Sequence, residues 1–340
     1  MTSKRLVLVT GAGRSGTSTM AGALHLLGHH LPRPVLQANE SNPKGFFESR
    51  WPVRFHKRLL DRVTVEPTDG RPVAYDLVDG QVTDDVRREL RDWLATQLAK
   101  ADDVMVKDPR AAWVPELWAQ EAAALGATPA FVTMLRAPVE VVRSRGSHYA
   151  QNRPWMDESA FATMNLAGWV NANLVVERHT RDQARAFVRY DDLRSDWRAV
   201  MRDLREDLGL RLDHPLTDEP HAEVDAFIEP ALNRSQGTWD GLDLPDELVA
   251  LAEELDGLLG RLADTHGHDA ETEQQLDDLA ARYAALYRRS QSVAVDHAVA
   301  HGRVERRRGI EQGRREAEQA ARDAALLRRV ARVVRRRFSV

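Results

Sequence analysis

A segment rich in glycine and hydroxyl side chains lies near the start of the chain. It runs from Gly11 to Thr19 and reads Gly-Ala-Gly-Arg-Ser-Gly-Thr-Ser-Thr. Glycines allow successive backbone N–H groups to turn toward an anion, and a helix that begins after such a loop adds unpaired donors and the positive end of its dipole. The segment therefore predicts a phosphate or sulfate site. Its candidate binding residues are Gly13, Arg14, Ser15, Gly16, Thr17, Ser18 and Thr19.

This segment has the spacing of a P-loop that binds nucleoside triphosphates, but it differs from such a loop in the residue at one position. Gly11 and Gly16 have the P-loop spacing, and Ser18 fills the hydroxyl position. Thr17, however, stands where the lysine that reaches the β- and γ-phosphates would be. The forked guanidinium of Arg14 suits a single phosphate or sulfate group. The alternative is a glycine-rich turn that binds nothing.

A second candidate anion site follows the apolar run 131–135. Arg136 comes directly after this run, and Ser144 follows eight residues later. Pro138 suits the first turn of a helix, where its missing N–H is not needed. Ser144 then falls about two turns along that helix, so that it and Arg136 could face one groove. An ordinary capped helix is the alternative interpretation of this stretch.

Two carboxylates in the segment 31–50 could remove a proton from a hydroxyl group. Glu48 follows Phe46 and Phe47, and two aromatic side chains beside a carboxylate would partly desolvate it and make it a better proton acceptor. Glu40 in the same segment is the second candidate. A helix-capping role is the alternative for Glu48. A positioned general base typically accelerates a reaction by ~10²–10⁴-fold.

Three cations could stabilise negative charge on a leaving group: Arg14, Lys44 and Lys107. Lys107 ends a short apolar run and precedes Asp108, which could also be interpreted as the magnesium-binding acid of a Walker B segment. The missing P-loop lysine weakens that interpretation. No cluster of residues has the spacing of a metal site, so we expect no metal.

The pattern of elements indicates how these residues are positioned. Four apolar runs predict strands over residues 6–9, 104–106, 130–135 and 186–190. Helical patterns alternate with them over residues 52–62, 84–100, 112–125, 138–149, 157–181 and 192–208. This alternation predicts an α/β fold of three layers, α/β/α, with a central parallel sheet and a P-loop NTPase-like order. Ligands of such sheets bind at the carboxyl ends of the strands, where both anion-binding motifs fall.

Composition excludes several classes of protein. The chain of 340 residues has 43% hydrophobic and 29% charged residues, which is typical of a globular protein. It contains no cysteine, which excludes disulfide frameworks, thiolate metal sites and a cysteine nucleophile. No apolar run approaches the ~18 residues of a membrane span, and the first apolar run is too short for a signal peptide. A cytoplasmic location is therefore expected.

Charge is distributed unevenly and suggests three parts. Residues 303–340 contain 13 arginines and 5 acidic residues, which gives this part of the chain a charge of +8. Since the net charge of the whole chain is −4, residues 1–302 carry about −12. We predict a catalytic domain over 1–245, a helical extension over 246–301 and a basic amphipathic helical tail over 302–340. Such a tail is typical of helices that lie on anionic membranes or bind a protein partner. The alternatives are binding to nucleic acid or to an acidic partner, and a solvated helix that self-associates or packs on the body. The net charge of −4 gives the whole chain no attraction to nucleic acid, so no nucleic-acid partner is expected.

The first glycine-rich segment resembles the 5′-phosphosulfate loop of sulfotransferases that use 3′-phosphoadenosine 5′-phosphosulfate (PAPS). It is most similar to the bacterial branch, in which the loop has an Arg-Ser-Gly-Thr-Ser core. Gly13 is a departure, because many members have proline there. The resemblance covers roughly residues 4–240, and it implies that Arg136 and Ser144 grip the 3′-phosphate.

The resemblance also extends to weaker matches. Tyr190 lies in a segment similar to a strand-end Tyr-acid-acid-Leu motif, and Arg234 falls where members often place a late basic loop near the 3′-phosphate. Lys107 resembles the strand-end lysine that cytosolic members place beside the acceptor. The histidine base that follows in those enzymes is replaced by Pro109, which implies that a carboxylate, Glu48, acts instead.

The resemblance implies an enzyme that transfers a sulfuryl group from PAPS to a hydroxyl, or less often an amine, of a carbohydrate, lipid or small metabolite. Glu48 would be the base, with Lys107 and Arg14 stabilising charge, and no metal would be needed. The alternatives are an ATP-dependent kinase and a non-catalytic nucleotide-binding module tethered by its C-terminal helix. The oligomeric state stays open, and the basic C-terminal helix is compatible with peripheral attachment to the inner face of a membrane.

Overall fold

The computed structural model describes residues 4–39, 42–153, 155–217, 221–228 and 237–337. Its centre is a four-stranded sheet whose strands are all parallel and have the order β2-β1-β3-β4. The strands are β1 Lys4–Thr10, β2 Asp103–Lys107, β3 Ala127–Leu135 and β4 Ala184–Arg189. Each strand contains one of the four predicted apolar runs, and all three strand pairs are parallel. The predicted parallel sheet is therefore confirmed.

The sheet separates two hydrophobic cores. In β1, Leu6 and Leu8 point into one core, whereas Val7 and Val9 point into the other, as the two-residue period of a strand requires. Side chains of α2, α4 and α5 fill the first core, and side chains of α1 and α9 fill the second. Both faces of the sheet are therefore covered, which gives the predicted three layers.

Helices occupy most of the remaining chain. They are α1 Thr17–Leu26, α2 Arg50–Arg62, α3 Ala74–Asp79, α4 Asp84–Leu98, α5 Pro115–Ala124, α6 Pro138–Tyr149, α7 Glu158–Arg178, α8 Tyr190–Ser195, α9 Trp197–Leu208, α10 Ala222–Phe227, α11 Asp246–Asp264, α12 Ala270–Val293 and α13 Val295–Arg337. The predicted helix over 192–208 is divided at Asp196, whose side chain accepts a hydrogen bond from the backbone N–H of Ala199 at 2.9 Å and caps α9. The short helix α3 was not predicted.

The chain forms two compact units, residues 1–284 and residues 285–340. In the first unit, α11 packs against β4 and α7 and buries a stripe of leucines that includes Leu251, Leu255 and Leu259. In the second unit, residues 288–323 are exposed along their whole length. The boundaries at 245 and 301 stay predictions. In the described part of the chain, none of the helices has the length and apolarity needed to cross a membrane.

Candidate active site

The glycine-rich segment forms a tight loop between β1 and α1. Gly11 and Gly16 have φ angles of +126° and +91°, in the region that favours glycine. A Cβ at Gly16 would lie 2.2 Å from the ring of Tyr190, and one at Gly11 would lie 2.6 Å from the carbonyl oxygen of Met134. Only glycine therefore fits these two positions. The loop delivers the chain to Thr17, where α1 begins and its first N–H groups lack partners within the helix.

Two loop hydroxyls are buried inside the loop itself. Ser15 is 1% exposed, and its Oγ donates to the carbonyl oxygen of Ala12 at 2.6 Å. Thr17 is 4% exposed. By contrast, Arg14 has a φ of +79°, an unusual value for a residue with a side chain. The hydrogen bond of Ser15 thus stabilises the loop, and the chain changes direction at Arg14.

Glu48 and Lys107, two of the predicted catalytic residues, lie in contact. The Nζ of Lys107 donates to Oε1 of Glu48 at 2.6 Å and to Oγ of Ser18 at 3.2 Å. Lys107 is the last residue of β2, and Glu48 directly precedes Ser49, the N-cap of α2. Both charged side chains are almost completely buried. The structure thereby places a carboxylate and an ammonium group beside the first turn of α1.

Residues of the loop before α2 hold Ser18 from the other side. Nδ2 of Asn42 donates to Oγ of Ser18 at 3.1 Å, and that Oγ donates to the carbonyl oxygen of Phe46 at 3.4 Å. Residues 42–48 therefore fold back onto the start of α1 and the glycine-rich loop before it. A β-bridge pairs Val35 with Ser49.

A buried polar chain that the sequence analysis did not identify lies behind this pair. Asp108 accepts hydrogen bonds from Arg110 and His56, and His56 in turn contacts Trp118. The Nη1 of Arg110 lies 3.8 Å from Oε2 of Glu48. The sequence could have indicated that His56 is buried, because it falls on the apolar face of α2 among residues at helical spacing.

The residues predicted for the second anion site lie directly after β3, at Arg136, and in the middle of α6, at Ser144. Nε of Arg14 donates to Oγ of Ser144 at 3.0 Å, and Nη1 of Arg136 donates to the carbonyl oxygen of Arg14 at 3.1 Å. Nε of Arg136 also contacts Glu140 at 2.8 Å. The guanidinium of Arg136 lies over the ring of Tyr190, 5.3 Å from its centroid. The residues predicted for the two anion sites therefore form one continuous patch.

Additional cations border this patch. The Nε of Arg145 donates to the side-chain oxygen of Asn165, and Nη2 of Arg14 lies 3.4 Å from Nε2 of His148. Burial lowers the pKa of Arg145, and the charges of Arg14 and Arg153 act in the same direction. Positive groups crowded at the mouth of a glycine loop create a field that attracts anions.

The remaining candidates are placed as follows. Glu40 and Arg234 lie outside the described residues. Lys44 donates to the carbonyl oxygen of Phe227, at the end of α10, at 2.9 Å. Among the residues that the structure describes, no group of three or more His, Cys, Asp or Glu side chains could hold a metal ion.

A cleft of about 290 Å³ lies beside the folded-back segment. Its lining combines apolar and polar residues: Leu31, Val35, Leu36, Ala38, Gly45, Phe46 and Phe47, with His25, Arg33, Gln37 and Lys44. Phe46 belongs to the lining, and its carbonyl oxygen is the one that meets Ser18. The cleft therefore adjoins the loop side of the site.

Comparison with known proteins gave matches among solved structures alone. No family model matches the chain, and no curated protein matches it. A sulfotransferase domain from the curacin biosynthetic pathway is 15% identical with a TM-score of 0.44, covering 76% of this chain and 98% of that one. A sulfotransferase domain from the olefin synthase of Synechococcus PCC 7002 is 18% identical with a TM-score of 0.41, covering 79% and 97%.

A third structure is the sulfotransferase STF1 from Mycobacterium tuberculosis H37Rv, 17% identical with a TM-score of 0.39, covering 75% of this chain and 77% of that one. At these identities and TM-scores the likenesses assign no donor, acceptor or mechanism to this chain. All three of these solved structures are of sulfotransferases, the family that the sequence motifs of this chain resemble.

Proposed function

We propose that this chain transfers a sulfuryl group from PAPS to a hydroxyl of a carbohydrate, lipid or small-metabolite acceptor. The observation that carries the proposal is the contact of Glu48 with Lys107 beside Ser18, in the first turn of α1 directly after the glycine-rich loop. A carboxylate, an ammonium group and the predicted anion-binding loop thereby lie together at one edge of the sheet. Sulfuryl transfer resembles phosphoryl transfer in that it depends on positioning and charge stabilisation.

The donor would occupy the patch formed by the residues of the two predicted anion sites. The backbone N–H groups of the loop and the hydroxyls of Ser18 and Thr19 would hold the 5′-phosphosulfate, because a helix N-terminus favours such groups. Arg136 and Ser144 would hold the 3′-phosphate. Arg14 contacts Ser144 through its side chain and Arg136 through its backbone, so it would lie between the two ends of the bound donor.

The chemistry divides between the two buried charged residues. Glu48 removes the proton from the acceptor hydroxyl as the acceptor oxygen forms a bond to sulfur. The bond between sulfur and the bridging oxygen breaks in line, and 3′-phosphoadenosine 5′-phosphate (PAP) leaves. The ammonium of Lys107 stabilises the charge that develops on that oxygen, and Arg14 adds positive charge at the mouth of the loop. The proton ends on Glu48 before it passes to solvent.

The contacts of Asp108 favour this function over the ATP-dependent kinase. Its Oδ1 accepts from the backbone N and Nη1 of Arg110, and its Oδ2 accepts from His56. Asp108 is fully buried. A Walker B acid must instead present an oxygen to magnesium or to its bound water. Asp108 therefore serves the internal network.

The cleft beside residues 31–47 is the proposed acceptor site. Its apolar lining suits a ring or an alkyl chain, and Arg33 and Lys44 suit an acidic group on the acceptor. Substitution of Phe47 by alanine should raise the KM for the acceptor more than it lowers kcat. An unchanged acceptor KM would move the acceptor site elsewhere.

A transfer assay tests the proposed function. The full-length chain is incubated with radiolabelled PAPS and pools of glycans, lipids and small metabolites, and labelled products are separated. We expect label in one acceptor class, with formation of PAP. Binding of PAP without transfer to any pool would instead indicate the non-catalytic nucleotide-binding module.

We also propose that the end of α13 attaches the protein to the cytoplasmic, anionic face of a membrane. The helix reaches Arg337, and residues 326–337 contain six arginines and no acid. Co-sedimentation with phosphatidylglycerol vesicles tests this, with phosphatidylcholine vesicles as the control. Exchange of the six arginines for glutamine should abolish sedimentation. Equal sedimentation before and after the exchange would contradict membrane attachment.

A further inference from the structure

The buried chain behind Glu48 has a defined direction. The indole N–H of Trp118 can only donate, so Nε2 of His56, 2.8 Å away, must accept. The proton of His56 therefore lies on Nδ1, which donates to Oδ2 of Asp108 at 2.8 Å. Trp118, His56 and Asp108 are all fully buried. This arrangement fixes both the tautomer and the orientation of the imidazole ring.

Asp108 also fixes the position of Arg110. The carboxylate caps the 3₁₀-helix Pro109–Trp113 by accepting from the backbone N–H of Arg110 at 3.0 Å, and it accepts from Nη1 at 2.7 Å. Burial acts to raise the pKa of Asp108, but the hydrogen bond from His56 and the positive charge of Arg110 outweigh it and lower the pKa. The carboxylate therefore stays charged and keeps the guanidinium in place.

Arg110 lies near Oε2 of Glu48, whereas Lys107 contacts Oε1 of the same carboxylate. Lys107 takes Oε1 at 2.6 Å, whereas Nη1 of Arg110 stands 3.8 Å from Oε2. At that separation the charges attract without a hydrogen bond. Within the described ranges of the chain, Oε2 accepts no hydrogen bond, so it retains the lone pairs that a proton acceptor needs.

We propose that Asp108 and His56 are positioning residues that act through Arg110 to aim Oε2 of Glu48 at the acceptor hydroxyl. This inference rests on the proposed function, in which Glu48 is the base. A base must lie within hydrogen-bond reach of its proton, and a displacement of about 1 Å can cost about 100-fold in rate. Loss of Asp108 should therefore affect turnover rather than donor binding.

A double-mutant cycle tests the route through Arg110. Asp108→Asn is made in the wild-type chain and in an Arg110→Gln chain, and kcat and KM for PAPS are measured for all four proteins. We expect Asp108→Asn to lower kcat about 10- to 100-fold in the wild-type chain. In the Arg110→Gln chain the same change should lower kcat by less than about threefold. Equal losses in both chains would overturn the proposal.

Substitutions of His56 separate positioning from general destabilisation. His56→Asn retains an amide donor near the Nδ1 position, whereas His56→Leu removes it. We expect His56→Asn to retain several-fold more kcat than His56→Leu, with the same PAP affinity and similar melting temperatures. Equal kcat values would contradict a role for the Nδ1 donor. A wild-type chain that binds PAP but transfers nothing would refute the proposed function, whereas an active Arg110→Gln chain with wild-type kcat would refute this inference alone.

Discussion

The Nε of Arg14 donates a 3.0 Å hydrogen bond to the hydroxyl of Ser144, across 130 positions of sequence. This contact joins the phosphate loop after β1 to the helix after β3. Because β1 and β3 are adjacent and parallel, their carboxyl ends lie at the same edge of the sheet. A single ligand with two anionic groups can therefore contact both motifs.

Removal of Arg136 should weaken binding of PAP. Arg136→Ala eliminates a guanidinium that would pair with the 3′-phosphate, and charge-assisted hydrogen bonds are worth about 1.5–3 kcal/mol. We expect the Kd for PAP, measured by calorimetry, to rise about 10- to 100-fold. The matched control is Arg88→Ala, which removes an exposed arginine of α4 paired with Asp85. A similar Kd for both variants would place the 3′-phosphate elsewhere.

The left-handed turn at Gly16 should not tolerate a side chain. Gly16→Ala would force φ of +91° on alanine and would place Cβ 2.2 Å from Tyr190. We expect a loss of at least about 1–3 kcal/mol in unfolding free energy or, if the loop rearranges, loss of PAP binding. Gly257→Ala in α11, where a Cβ meets no atom within 4 Å, should instead be neutral or stabilising. Wild-type stability and PAP affinity in Gly16→Ala would contradict the described loop.

Glu48→Gln should reduce turnover and spare donor binding. The amide keeps the size of the side chain and can still accept from Lys107, but it cannot take a proton. We expect kcat to fall about 10²–10⁴-fold while the Kd for PAP changes by less than about threefold. Rapid-quench assays with labelled PAPS measure the first quantity. An unchanged kcat would transfer the role of base to Glu40 or to another group.

Asp256 on α11 should make stability depend on pH. Burial raises the pKa of Asp256 to about 6, with Arg189 opposing the rise and Glu140 adding to it. The folded state then binds this proton more tightly than the unfolded state, so stability falls as pH rises from about 4 to above 6. Asp256→Asn should stabilise the protein by about 1–3 kcal/mol at pH 8 and have little effect at pH 4. Urea denaturation at both pH values checks this. Equal effects at both would contradict the shift.

The strands could be predicted from the sequence because they are short apolar runs between helical patterns. Their ends were less accurate: β1 and β4 begin two residues earlier than predicted, and Tyr190, predicted as the end of the fourth strand, begins α8. The largest difference is at the start of β3, where Pro129 interrupts the strand pattern. In the structure Ala127 to Pro129 pair with β1, but β4 joins only from Ala130 onward. Pro129 is therefore paired on one side only, where its missing N–H is tolerated.

Site residues could be proposed one by one, but their contacts could not. Glu48 and Lys107 are 59 residues apart, and the sequence does not show that a folded-back loop brings them together. His56 and Trp118 have the spacing of ordinary core residues, so helical periodicity indicates burial but not a polar network. Networks of this kind depend on tertiary packing between α2, α5 and the end of β2.

The most direct test of a site for a doubly phosphorylated adenosine is a calorimetric titration of the full-length chain with PAP and, separately, with ATP and magnesium. We expect PAP to bind at least about tenfold more tightly than ATP with magnesium. The reason is that PAP has a 3′-phosphate for Arg136 and Ser144 to bind, whereas ATP has none. Arg136→Ala should remove most of this preference. Tighter binding of ATP with magnesium by the wild-type chain would contradict the proposed donor site.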